Sequence, residues 1–333
     1  MRLPGNETVP AVIIFGDSIV ETGNNNDLRT PAKCNFPPYG RDFQGGIPTG
    51  RFSNGKVPSD LIVKELGIKD LVPSYKDPNL KPNDLLTGVS FASGGSGYDP
   101  LTPKLLSVIS LPDQLKQFKE YIGKLKANFG EDRTNFILTR SIILVVASSN
   151  DIANSYFASG IRKAQYDISS YTDFILGYAS SFIKELYGLG ARRVGVFGAP
   201  PLGCVPSQRT LFGGIGRVCS QQVNQASMMF NAKLSAELHS LKQHMPQARI
   251  VYFDVYNPLL HIIQNPATYG FQVVDKGCCG TGTLEVSISC NRLEPQTCTD
   301  ESNYMFWDSY HPTERTYKIL VGKVLNKYIS SFF

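Results

Sequence analysis

The chain has 333 residues, 42% of them hydrophobic, and carries 33 Lys and Arg against 28 Asp and Glu, a formal net charge of +5 and a pI of about 8.7. That apolar content excludes wholesale disorder, and the basic excess is spread without any Lys/Arg cluster of five, which argues against a nucleic-acid surface. No apolar run approaches the roughly 18 residues of a membrane span, and residues 1–10 lack the apolar stretch of a signal peptide, so a leader is expected either to have been removed or not to belong to this copy.

The first run, residues 11–15, is continuous and β-branched, as a strand buried on both faces of a parallel sheet requires. It ends Phe15-Gly16-Asp17-Ser18, which puts Ser18 on the first β-to-α turn. Ligands of open α/β sheets bind beyond the carboxyl ends of the strands, and the N–H groups of a starting helix there would face developing negative charge. The bland alternative is a serine that caps that helix. Asp17 reads as a structural brace for the turn, and the Asn24–Asn26 run as polar capping near it. Gly50-Arg51-Phe52-Ser53-Asn54-Gly55-Lys56 fits most of a phosphate-loop pattern. Val57 stands where Ser or Thr is needed, Pro58 follows and no strand precedes it, so the fit carries little. Residues 89–92 form a weaker strand candidate. The glycines that follow, Gly94-Gly95-Ser96-Gly97, lack the third position of a dinucleotide fingerprint and read as a close backbone approach.

A second firm strand, residues 142–147, ends Ser148-Ser149-Asn150-Asp151 and sets an amide donor at the same sheet edge. Helical periodicity over 171–189 leads to a strand over 193–197, and helical periodicity over 221–241 to a strand over 249–253. Near the C-terminus, Asp308-Ser309-Tyr310-His311-Pro312 sets a carboxylate three residues before an imidazole. Pro312 biases His311 away from helical geometry, and the spacing lets Asp308 accept the Nδ1–H bond. The other three histidines, His239, His244 and His261, fall in helical contexts that account for them. A last helix is expected over 312–329, with proline in its first turn.

Strands alternating with helices predict βαβ units in an α/β fold, a three-layer α/β/α sandwich. No repeat or linker interrupts the pattern, which divides the chain into a tail over 1–10 and one domain over 11–333. Gly/Pro-rich stretches over 31–60, 200–217 and 275–300 read as long surface loops.

Seven cysteines bear on compartment. Cys34 stands alone and is expected to stay unpaired. Cys204 and Cys219 bracket a glycine-rich segment, while Cys278, Cys279, Cys290 and Cys298 crowd a turn-rich stretch that gains most from staples. Adjacent Cys278 and Cys279 are poorly placed to bond each other, which leaves two pairings among the late four. Zinc is disfavoured because the C-x-x-C spacing and a nearby histidine are missing. Asn6-Glu7-Thr8 is a glycosylation sequon at Asn6. Three disulfides and secretion are therefore expected, with no metal and no cofactor.

Taken in order, Phe15-Gly16-Asp17-Ser18, the block from Pro48 to Gly55, the block from Phe91 to Gly97, Ser149-Asn150-Asp151, Cys278-Cys279-Gly280 and Asp308-x-x-His311-Pro312 resemble the plant-type GDSL esterase/lipases of the SGNH hydrolase superfamily. The resemblance runs from about Ala11 to the end. It implies a flavodoxin-like sheet of five parallel strands and serine ester hydrolysis through an acyl-enzyme. It also implies Ser18 as nucleophile, His311 as base, Asp308 as its orienter, and an oxyanion hole from Gly95 N–H, Asn150 and Ser18 N–H. Ser90 departs from the family's usual Asn, and Ser148 from its frequent Gly. An acyltransferase on the same site and a catalytically silent wall-associated protein are the rival readings. The expected partner is an ester substrate, whether lipid, cutin-like, polysaccharide acyl or phenolic; the oligomeric state is left open.

Overall fold

A computed structural model describes residues 3–293 and 296–333, apart from the side chain of Asn6, so the glycosylation candidate lies outside the described residues. The strands β1 (Val12–Gly16), β2 (Ile142–Val146), β3 (Arg193–Phe197) and β4 (Arg249–Phe253) pair in parallel in the order β1-β2-β3-β4. Residues 87–93 run along the free edge of β1. Ile14 N–H donates to Val89 O at 3.1 Å, Phe91 N–H to Ile14 O at 2.8 Å and Ser93 N–H to Gly16 O at 3.0 Å. This segment takes the fifth position and gives the flavodoxin-like order in which the first strand in sequence lies second from the edge. Its outer side is closed locally rather than by another strand: Ser90 N–H donates to Pro73 O, and the Asn24 amide donates to both Ser90 O and Ala92 O.

Nine α-helices are found among the described residues: α1 (Pro58–Glu65), α2 (Pro82–Leu85), α3 (Thr102–Leu106), α4 (Leu111–Arg140), α5 (Ile168–Gly188), α6 (Pro206–Phe212), α7 (Gln221–His244), α8 (Tyr256–Gln264) and α9 (Glu314–Tyr328). A short parallel pair, β5 (Val273–Gly277) and β6 (Tyr304–Phe306), stands apart from the main sheet. Strand side chains alternate between faces. Ile13, Phe15, Ile143, Val145, Val194 and Val196 pack with Phe118 of α4, Ile175 and Phe182 of α5 and Phe230 of α7. Val12, Ile14, Leu144, Val251 and Phe253 turn the other way, onto Ile62 of α1, Leu259 of α8 and Val321 and Val324 of α9. These two cores make the three layers.

Two expectations are corrected. No helix follows β1: residues 17–31 are turns, and the first α-helix starts at Pro58. The Asn24–Asn26 side chains are the reason. Instead of capping a helix, they hydrogen-bond backbone nearby at Ala32 and farther along the chain at Thr49, Ser90, Ala92 and Gly94. The last helix begins at Glu314 rather than at 312, because Pro312 bridges antiparallel to Phe306 and Thr313 becomes the cap, its hydroxyl accepting Thr316 N–H. The thirty residues of α4 were not legible as a helix. Their apolar periodicity is diluted by charge and interrupted at Gly130, whose φ of 79° breaks the helical geometry.

The phosphate-loop decoy is structural. Arg51 is buried and forks onto Asp60, with both N–O distances 2.7 Å, and it also donates to Val72 O.

Candidate active site

Ser18 follows β1 at the carboxyl edge of the sheet. Gly16 is required there, since its φ is +138° and a Cβ would stand 1.9 Å from Val146 O. The strand end is clamped by Gln114 of α4, whose amide accepts from Gly16 N–H and donates to Gly16 O, both at 2.9 Å. Asp17 braces the turn: its N–H donates to Val146 O, and its Oδ1 accepts Ile19 N–H at 3.1 Å.

His311 precedes α9 and reaches back across the sheet edge. Its Nε2 lies 2.8 Å from Ser18 Oγ, and its Nδ1 lies 2.9 and 2.8 Å from the two oxygens of Asp308. All three side chains are buried, Ser18 the least at 7% exposure. Asp308 is satisfied on every side. Oδ1 accepts the N–H groups of Tyr310 and His311 at 2.8 and 2.7 Å, and Oδ2 accepts the Tyr39 hydroxyl at 2.7 Å. A carboxylate held by this many donors is fixed in its orientation.

Facing Ser18 are Gly95, on the loop after the fifth sheet segment, and Asn150, after β2; both line the same cavity as Ser18 and His311. Gly95 has φ +88°. The neighbouring Gly94 N–H is already engaged, donating to Glu21. Among the described residues no acceptor is found for the N–H of Gly95 or of Ser18. The Asn150 amide spends one hydrogen on Ser96 O at 2.9 Å, and its Oδ1 accepts from Asn154, leaving a second amide hydrogen. Ser148, just before this segment, holds φ +95° with its hydroxyl buried and unpartnered.

Three further carboxyls lie buried behind the site. Burial pushes Asp17 up to about 7, against the opposing pull of the Ile19 N–H and His311. Burial likewise raises Glu21 to about 8 and Asp151 to about 6. Glu21 ties the turn after Ser18 to the glycine loop by accepting from Asn25 N–H and Gly94 N–H. Asp151 accepts Tyr98 N–H, Asp99 N–H and the Thr102 hydroxyl, and the Gly97 backbone lies so close that a Cβ there would meet the carboxylate at 2.2 Å.

The predicted cysteine bonds resolve as Cys204–Cys219, Cys278–Cys298 and Cys279–Cys290, with Cys34 free and buried. Since the late four are in disulfides, they offer no thiolates to zinc. Their staples hold the loop carrying Ser287, whose N–H donates to the Tyr39 hydroxyl at 2.7 Å. Tyr39, Gln114, Glu21 and Ser287 were missed by sequence reasoning. Each acts through a contact with residues far away in the chain, and none sits in a motif.

The site opens into a cavity of about 500 Å³. No helix among the described residues is long and apolar enough to cross a membrane.

Comparison with known proteins places the chain. The family model described as GDSL-like Lipase/Acylhydrolase matches residues 12–324. The Arabidopsis thaliana GDSL esterase/lipase EXL3 is 57% identical over 332 residues, covering 100% of this chain and 91% of that protein. Another GDSL esterase/lipase of the same plant is 55% identical over 330 residues, covering 99% and 89%. With a match over nearly the whole length and a parallel sheet that presents Ser18 and His311 at one edge, the chain belongs to the GDSL-like lipase/acylhydrolase family.

Proposed function

We propose that this carboxylic ester hydrolase works through Ser18, His311 and Asp308. His311 Nε2 takes the Ser18 Oγ proton as Oγ bonds to the ester carbonyl carbon, and Asp308 stabilises the imidazolium. The carbonyl oxygen, now an oxyanion, is held by the N–H groups of Ser18 and Gly95 and by the Asn150 amide. The carbon–oxygen bond to the alcohol then breaks, His311 returns its proton to the leaving alcohol, and the acyl group stays on Ser18. Water, deprotonated by His311, releases the acid and restores the serine. The engaged Gly94 N–H supports Gly95 as the donor of that loop.

The observation that carries this reading is the unbroken relay from Ser18 Oγ through His311 to Asp308, with links of 2.8 Å on each side of the ring. Three disulfides on the loops around the site support action in an oxidising compartment, that is, secretion. The test is direct. Ser18→Ala and His311→Ala should each lose at least about a thousandfold in kcat while keeping the parent's circular dichroism, and a fluorophosphonate should label Ser18 alone. Folded variants within tenfold of the parent would overturn the assignment.

A further inference from the structure

The amide of Asn150 faces a choice that its own side chain does not settle. The last torsion of an asparagine is broad and two-fold, so the group can turn either its oxygen or its nitrogen to a given side. Only one orientation serves an oxyanion: with Nδ2 turned to it the amide donates, and with Oδ1 turned to it the amide repels the developing charge. Asn150 lines the cavity beside Ser18 and is only half-buried, so hydrogen bonds have to make the choice. They make it from two ends. Nδ2 donates to Ser96 O at 2.9 Å, and a carbonyl can only accept. Oδ1 accepts from Asn154 Nδ2 at 3.0 Å, and the orientation of Asn154 is set from farther away. Asn154 Oδ1 accepts the Tyr310 hydroxyl at 2.9 Å. That hydroxyl accepts from Nε2 of the fully buried Gln208 of α6 at 3.2 Å, so its single hydrogen is left for Asn154. Every link points the same way. Asn150 directly precedes, and Asn154 lies within, the π-helical segment Asp151–Ala158, a rare form that is frequent at functional sites. Tyr310 belongs to the loop of Asp308 and His311, and its N–H donates to Asp308 Oδ1.

We infer that Tyr310 and Asn154 are positioning residues for the oxyanion: the chain from Gln208 through Tyr310 and Asn154 holds the Asn150 amide with its second hydrogen toward the carbonyl oxygen attacked by Ser18. The inference rests on Asn150 being an oxyanion donor. Both residues act through Asn150 rather than on the reacting atoms. Hydrogen bonds in series polarise one another, so the chain also makes Asn150 a stronger donor than a lone amide. Tyr310 stands between Asp308 and His311 in sequence, so one loop places the base and, through these links, the group that faces the oxyanion.

The experiment is a double-mutant cycle on p-nitrophenyl butyrate. It measures kcat and KM for Asn150→Ala, Tyr310→Phe and Asn154→Leu, and for each of the last two combined with Asn150→Ala. Rates are taken per active site, titrated to completion with a fluorophosphonate, so that any loss of folded protein divides out. Tyr310→Phe removes the hydroxyl alone and leaves the N–H on Asp308; Asn154→Leu keeps the shape of the side chain without donor or acceptor. Asn150→Ala should lower kcat about a hundredfold or more. Tyr310→Phe should lower it about fivefold and Asn154→Leu about tenfold, with KM within about twofold of the parent, because the oxyanion forms only in the transition state. In the Asn150→Ala background each should lower kcat less than about twofold, since the amide they orient is gone. Losses of equal size in the two backgrounds would make Tyr310 and Asn154 merely structural and overturn the relay. So would a Tyr310→Phe enzyme with the parent's kcat, or one altered in KM alone. If Asn154→Leu yields no titratable sites, Tyr310→Phe decides. An Asn150→Ala enzyme with the parent's kcat would sink the oxyanion assignment itself and the relay with it, a failure read from that single variant and distinct from the others.

Discussion

The Tyr39 hydroxyl donates to Asp308 Oδ2 at 2.7 Å across a sequence separation of 269 residues, and it accepts Ser287 N–H at the same distance. The carboxylate that faces His311 is therefore positioned by a tyrosine from a Pro-rich loop and, through it, by a disulfide-bound loop. Tyr39→Phe removes a hydrogen bond to a charged group, worth about 1.5–3 kcal/mol. We expect kcat to fall roughly tenfold or more with KM little changed, and stability in urea to fall by a similar amount of free energy. Unchanged kcat would show that Asp308 holds its orientation without this bond.

The buried carboxyls give stability a pH dependence of known sign. Asp17, at about 7, Glu21, at about 8, and Asp151, at about 6, are raised by burial. The folded state keeps protons that the unfolded chain releases near pH 4, so their stabilising contribution is full below that pH and is lost as pH rises through about 6 to 8. Asp17→Asn replaces a carboxyl whose Oδ2 has no partner with a neutral group of the same shape. The slope of unfolding free energy between pH 4 and 7 should become shallower by up to about 1.4 kcal/mol per pH unit. Urea titrations at several pH values that superimpose for parent and variant would contradict the sign.

Ser148 carries a backbone strain that glycine would relieve. Its φ of +95° costs a side-chain-bearing residue about 1–3 kcal/mol, and its buried hydroxyl lacks a partner. Glycine gives back up to about 1 kcal/mol through the entropy of the unfolded chain. Ser148→Gly should therefore stabilise the protein by about 1 kcal/mol, seen as a higher Tm. A lower Tm would reveal a contact of Ser148 worth more than the strain.

Reduction should weaken the site as well as the fold. The Cys204–Cys219 bond closes a separation of 15 residues, worth about 3 kcal/mol by chain entropy. The pair formed by Cys279 and Cys290 restrains the segment that presents Ser287 to Tyr39. A Cys279→Ser, Cys290→Ser double variant should lose stability, and its kcat should move toward that of Tyr39→Phe. Full activity in the folded variant would separate the staple from the positioning of Asp308.

How much could be read from the amino acids follows from which contacts are local. Asp308 and His311 are three positions apart, so a short motif carries them, and the continuous apolar runs at 142–147, 193–197 and 249–253 announced strands buried on both faces. Tyr39 reaches Asp308, and Gln114 reaches Gly16, only because the sheet is assembled; nothing near either residue marks it. Tertiary bonding likewise overrode the helix expected after β1, since the asparagines there found carbonyl partners more than sixty residues away. The fifth sheet segment read weakly because it is short and its outer side is finished by a loop backbone at Pro73 and by the Asn24 side chain rather than by a strand.

Ser18 and His311 lie 293 positions apart and meet in one hydrogen bond. During synthesis the serine leaves the ribosome early and stays without its imidazole until almost the whole chain has followed. A chain cut anywhere between the two residues therefore has no base beside the hydroxyl, however much of its sheet it keeps.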